Sequence, residues 1–268
     1  LVLCQQRMGG IARASLIYAG QDANDFVVPI AFRDAISSRT IYSPIGFGGK
    51  SGTDASNALS LMTSRFSGTV DLDANRRPLN KILYKTNFPG PRYPIPGYGA
   101  DWSRDGRLDL KEYHCPGDVE FPGMHHQGWK DRSSSSYNYY GTSYAANTLF
   151  AGSQVGEPLL SHSPYARGMT QVPNPGKTIL YFENAARFAM FAPNTVEFNQ
   201  TGCFWNDGLY ADAADQGMVA RGHHGADWTF VTSFVDGRAA FVRMQGHGRV
   251  PRPPGMPASC GTASCDCI

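Results

Sequence analysis

No run of eighteen apolar residues occurs in these 268 residues, which excludes a membrane-spanning helix within them. Charge is sparse: charged residues make up 17% and the formal net charge is +2. No basic run interleaves with aromatics, so a dedicated nucleic-acid surface is excluded. There is no internal repeat and no paired Cys-x2-Cys, the spacing of zinc ribbons. No serine or cysteine stands in a recognisable nucleophile elbow beside a histidine, which leaves a serine or cysteine hydrolase without its central residue. An initiator methionine and a signal peptide are also missing, and the chain opens inside a helical pattern. The expectation is that an upstream segment has been removed, by processing or by truncation.

What the chain has in quantity is glycine (30), proline (18), phenylalanine (15) and tyrosine (13). With 41% hydrophobic residues this is the composition of a loop-rich, strand-containing globular protein, long enough for one large domain or two small ones. Six cysteines stand at 4, 115, 203, 260, 265 and 267. Six allow fifteen pairings, and sequence does not choose among them. The tail cysteines Cys260, Cys265 and Cys267 admit a metal-cluster reading, but their spacing favours disulfides, and an even count points to an oxidising compartment outside the cytoplasm.

One stretch fits a twelve-residue calcium loop. Asp101, Ser103, Asp105 and Asp109 place oxygens at loop positions 1, 3, 5 and 9. Gly106 stands where the loop must turn, Leu108 is the apolar residue, Arg107 would ligate through its carbonyl, and Glu112 closes the loop as a bidentate carboxylate. A hard cation wants six to eight oxygens, and this spacing supplies most of them. The alternative is an ordinary acidic turn. Proline-rich sequence before the loop and Pro116 after it rule out a paired EF-hand, so the expectation is a single structural Ca2+ site.

Along the chain, residues 1 to about 20 read as an amphipathic helix with Gly9-Gly10 as its weak point. Phe26 to Ala31 reads as a short strand and Asp54 to Arg65 as a second helix. Lys177 to Glu183 is an apolar run of strand length. Trp228 to Val235 and Arg238 to Met244 flank Asp236-Gly237, a hairpin signal for a two-residue turn. The tail from Val250 is proline-rich.

Several segments, taken in order, resemble one family. They are Cys4-Gln-Gln-Arg-Met-Gly-Gly-Ile-Ala-Arg-Ala-Ser-Leu-Ile-Tyr18 with Asp22-Ala-Asn-Asp25, then Arg77-Pro-Leu-Asn80, Cys115-Pro-Gly-Asp118, Ser143-Tyr-Ala-Ala-Asn147, and finally His224 with Asp236-Gly237. Together these resemble the prepilin-type, type II secretion pseudopilin-like proteins abundant in planctomycetes and their relatives. In that family nine residues separate the histidine from Asp-Gly; here eleven do.

The resemblance implies an α+β fold, with an N-terminal helix packed on an antiparallel sheet. Residues 1–25 would be the stub of a longer helix, 26–249 a globular domain carrying the calcium loop as an insertion at 101–112, and 250–268 a tail. It implies a non-enzymatic subunit of an extracytoplasmic pilus-like or pseudopilus-like assembly. Its partners would be other pilin-like subunits, and it would meet a membrane only through a missing helix. Cys4 and Cys115, both within the resembling segments, are expected to form a disulfide. Cys203 would then pair with one of the tail cysteines, leaving Cys260 to pair with Cys265 or Cys267.

Three features compete with that reading. His125-His126 and His223-His224 could be metal ligands or acid–base groups, although loop histidines bonded to backbone are the commoner case. Tyr137, Tyr139, Tyr140 and Tyr144 could form a stacking platform for sugar rings. That gives the alternative function, a calcium-dependent carbohydrate-binding or adhesion module.

Overall fold

A computed structural model describes residues 1–29, 32–33, 40–41, 45–52, 73–89, 103–119, 135–147, 164, 167–186, 222–226 and 228–244. The expected helix at 54–65, Asp101, His125-His126, Cys203 and the tail with Cys260, Cys265 and Cys267 lie outside the described residues.

Helix α1 spans Val2–Ala19 and buries Cys4, Met8, Ile11, Ala12, Ser15 and Ala19, the three-to-four spacing that one helical stripe requires. It ends where Asp22 gathers the following turn. The Asp22 carboxylate accepts from the amides of Asn24 and Phe26 and from the Tyr18 hydroxyl. Beyond it, Phe26 makes only an isolated bridge to Gly168, not the strand expected from Phe26 onward. The turn at Asp25, in the left-handed region at φ 57°, directs the chain away from extended pairing.

Strands β1 (Phe32–Arg33) and β2 (Thr40–Ile41) form a small antiparallel pair. The principal sheet is antiparallel throughout, in the order β3 (Tyr144–Ala146), β4 (Ile179–Glu183), β5 (Thr229–Phe234), β6 (Ala239–Arg243). Side chains alternate across it. Tyr144, Ala146, Tyr181 and Val231 face the core shared with α1, while Ala145, Phe182 and Phe230 pack with Met244 on the other side. The α1 helix lies over β4, β5 and β6, and Ser15 hydrogen-bonds the Tyr181 hydroxyl between them. An N-terminal helix on a four-stranded antiparallel sheet is the α+β arrangement.

The β5–β6 hairpin forms where Asp236-Gly237 places it, with a longer turn than expected. Gly237 takes φ 86° while Asp236 stays out of the left-handed region, so the two-residue mirror-image turn is excluded. The Gly237 amide donates to Phe234 O at 2.9 Å and the Phe234 amide to Arg238 O at 2.8 Å. This is a normal turn followed by a left-handed glycine, the three-residue hairpin loop.

Around the sheet sit α2 (Pro78–Tyr84), α3 (Ser103–Gly106) and α4 (Ser136–Tyr140). Pro78 opens α2, where a missing N–H costs nothing. Arg77 and Asn80 tie that helix to the 45–49 segment. The fully buried Arg77 guanidinium donates to Ile45 O at 2.9 Å and Gly48 O at 2.8 Å. Asn80 accepts from the Gly49 amide at 2.9 Å and donates to Gly49 O and Ala74 O, both at 2.7 Å. The Arg-Pro-Leu-Asn segment thus satisfies a buried loop whose carbonyls have no strand partner.

Candidate functional site

Three sequence segments and the end of β4 converge on one buried polar cluster beside α1. The Cys115-Pro-Gly-Asp118 turn supplies a sulfur and a carboxylate. Ser143 comes from the start of β3, Glu183 from the end of β4, and His223-His224 from the loop before β5.

Asp118 is the organiser. Its carboxylate accepts from the amides of Ser136 at 2.9 Å and Tyr137 at 2.8 Å, the first turn of α4, and from the Ser143 hydroxyl at 2.6 Å. A carboxylate suits a helix N-terminus because the free amides there carry partial positive charge. Ser143 Oγ in turn accepts from the Cys115 amide at 2.9 Å. The Cys115 sulfur is thereby fixed facing α1, where it is joined to Cys4 in a disulfide with Cα atoms 5.3 Å apart.

The histidine loop closes over this frame. Gly117 is required here: a Cβ on it would lie 2.5 Å from His223 O. Gly222 is equally confined, since a Cβ there would meet Thr229 O at 2.3 Å and Glu183 Oε2 at 2.7 Å. Glu183 Oε2 accepts from the His223 amide at 2.9 Å, while its other oxygen, Oε1, is buried with no hydrogen-bond partner. His224 Nε2 lies 3.6 Å from Glu183 Oε1 and 3.5 Å from Cys115 Sγ. The His223 ring is buried 3.7 Å from Asp118 Oδ1, too far for a hydrogen bond, and neither of its nitrogens has a partner. Burial raises the Glu183 carboxyl, against the opposing pull of His223. Burial also lowers His224, with a smaller contribution from His223. The groups are acid, base and sulfur at close quarters, shielded from solvent except at the His224 edge. That disposition suits holding an ion or fixing a loop.

The residues expected to bind calcium do not gather in this way. Asp105 is fully buried and accepts backbone amides on both oxygens, from Ala74 at 2.9 Å and from Ser51. Ser103 lies in the single turn of α3, and Arg107 and Asp109 are exposed. The Glu112 carboxylate lies against Gly10 of α1. Among the described residues, Asp105, Asp109 and Glu112 do not come within ligating distance of one another as a set. The cation in this loop is Lys50. Its side chain is buried, donates to Gly106 O at 2.7 Å and Asn138 Oδ1 at 3.2 Å, and lies 4.3 Å from the Tyr137 ring centroid. Asp101 and the Ser103 side chain lie outside the described residues; of the remaining expected ligands, Asp105 spends both oxygens on backbone amides.

Three of the four tyrosines expected to form a platform are among the described residues, and the Tyr139 side chain lies outside them. Tyr137, Tyr140 and Tyr144 are buried, and Tyr137 hydrogen-bonds the 108–110 backbone on both sides. The sequence reading passed over Lys50, and it named Arg77 and Glu183 only as parts of a resembling segment and of a strand. For Glu183 a signal existed, a carboxylate ending an otherwise apolar strand run. Comparison with protein families, curated proteins and solved structures finds no match to this chain.

Proposed function

We propose that this protein is a structural, non-enzymatic subunit of an extracytoplasmic pilus-like or pseudopilus-like assembly. The observation that carries the reading is the use α1 makes of its two sides. One face is buried on the antiparallel sheet, while Leu1, Val2, Leu3 and Ile17 remain 46–66% exposed. Apolar side chains left outside along a helix that is otherwise seated on its sheet suit packing against a second helix. The Cys4–Cys115 bond is in keeping with an oxidising location.

The test is self-association of the full chain, followed by sedimentation and electron microscopy over rising concentration. Concentration-dependent oligomers or filaments that Val2→Asp with Leu3→Asp abolishes, without a change in melting temperature, are the expected result. A strict monomer that also remains unassociated with other surface proteins of its host cell would overturn the reading.

A further inference from the structure

The Cys4–Cys115 junction is surrounded by ligand atoms that the disulfide itself does not use. Glu183 is the first. Its Oε2 is held by the His223 amide, so Oε1 is directed inward, fully buried and without a partner. His224 Nε2 is the second, 3.6 Å from that oxygen and 3.5 Å from the Cys115 sulfur. Cys4 Sγ, Cys115 Sγ and His224 Nε2 all lie within 4.8 Å of one another, as do the ligand atoms of Cys115, Glu183 and His223. A tetrahedral zinc ion, with bonds of about 2.0–2.3 Å, needs its ligand atoms about 3.3–3.8 Å apart. The two measured edges at His224 already have that length. The two sulfurs are bonded to each other and would have to separate.

We propose that this junction is a two-state clasp: a disulfide when oxidised and, when reduced, a site for a zinc-class divalent ion held by Cys4, Cys115 and His224, with the Glu183 carboxylate beside His224. The chemistry balances with an external dithiol as reductant. Two electrons and two protons cleave the Cys4–Cys115 bond to two thiols, and the dithiol becomes a disulfide. Each thiol then loses its proton to solvent as its sulfur binds the ion. Two thiolates and an imidazole are a donor set that borderline-soft metals prefer over magnesium or calcium. The fold supports it from behind. Ser143 holds the Cys115 amide, His223 holds Glu183, and Gly117 lets the histidine loop approach. In both states α1 stays fastened to the 115–118 turn. The proposal is independent of whether the protein assembles into filaments.

The test uses the full chain with Cys203, Cys260, Cys265 and Cys267 replaced by serine, so that only the clasp can supply thiolate. The protein is reduced with a phosphine and titrated with Co2+, then with Zn2+. One tightly bound Co2+ per chain is expected, with tetrahedral d–d bands and a thiolate charge-transfer band that Zn2+ abolishes. The oxidised protein should show neither band. Cys115→Ser and His224→Ala should weaken binding by more than the about 10–100-fold that outer-shell changes cost, and Glu183→Gln by about tenfold or more. Reduced protein that keeps its far-ultraviolet circular dichroism but binds no stoichiometric Co2+ would overturn the proposal. So would binding indifferent to His224→Ala, or reduced protein that unfolds and that Zn2+ does not refold.

Discussion

Cys4 of the N-terminal helix and Cys115 of the turn before α4 are joined across 111 residues of chain, and both are fully buried. The bond closes a loop that contains α2, α3 and the buried 45–52 segment. Closing a loop of that length removes denatured-state entropy worth roughly 4–5 kcal/mol on the chain-entropy account. In the absence of reductant and metal, Cys4 and Cys115 should resist alkylation while the native fold persists, as peptide mass mapping would read. Cys4→Ser should lower the denaturant midpoint by an amount equivalent to a few kcal/mol. Alkylation of either cysteine in unreduced native protein would contradict the linkage.

The pattern of agreement between sequence and structure has a physical cause. Helix α1, β4 and the β5–β6 hairpin were legible because each carries its own period or turn signal, and burial follows the pattern. The polar cluster was not legible as a unit. Asp118, Ser143, Glu183 and His223 are separated by tens of residues, and their roles come from which backbone amides they meet. The surroundings of Asp105 within the acidic loop were hidden for a related reason. Oxygen side chains at regular intervals serve a metal only when they point to one centre, and here Asp105 turns to the Ser51 and Ala74 amides, with Lys50 supplying the positive charge.

Asp118 holds two α4 amides and the Ser143 hydroxyl with one carboxylate. Asp118→Ala would strand three buried donors, and leaving such groups unsatisfied costs about 1–3 kcal/mol apiece before relaxation. The net loss should be roughly 3 kcal/mol in urea unfolding, with Asp118→Asn losing less because its carbonyl still accepts. A change below about 0.5 kcal/mol would mean that α4 is not capped by this residue.

Lys50 gives a pH signature. Burial pulls its ammonium down to about 8 from the usual 10.5, against the pull of Asp109 and Asp105, which raise it. Between those two values the unfolded chain binds the proton and the folded chain does not, so stability should rise with pH across that window. The buried tyrosines act in the opposite sense above about 10, because burial raises them in the folded protein. The melting temperature should therefore climb from about pH 8 toward 10 and then fall. Lys50→Met should remove the climb and keep the fall. A wild-type profile flat from pH 8 to 10 would show that the lysine is not desolvated as the structure has it.

The same lysine makes the response to chelators specific. Because the loop's positive charge is already present, EGTA should leave the melting temperature unchanged, and elemental analysis should find no stoichiometric calcium. A chelator-sensitive melt restored by Ca2+ alone would return Asp101, Asp109 and Glu112 to the role expected from their spacing. Asp109→Asn and Glu112→Gln should then each abolish that restoration.

Gly10 of α1 offers a stabilising change. Glycine inside a helix costs about 0.5–1 kcal/mol relative to alanine, because more backbone freedom is lost on folding. A Cβ on Gly10 would meet only Glu112 Oε2 at 3.6 Å, and one on Gly9 nothing closer than 3.6 Å, so neither position needs its glycine for room. Gly10→Ala should raise stability by about 0.5–1 kcal/mol, and Gly9→Ala by a similar amount, since its nearest neighbours, the Arg13 side chain and Ala239 Cβ, are at ordinary contact distance. Should Gly10→Ala destabilise instead, the approach of α1 to the 111–113 turn must be tighter than the structure places it, and urea midpoints of the two single variants would show which side of the helix is constrained.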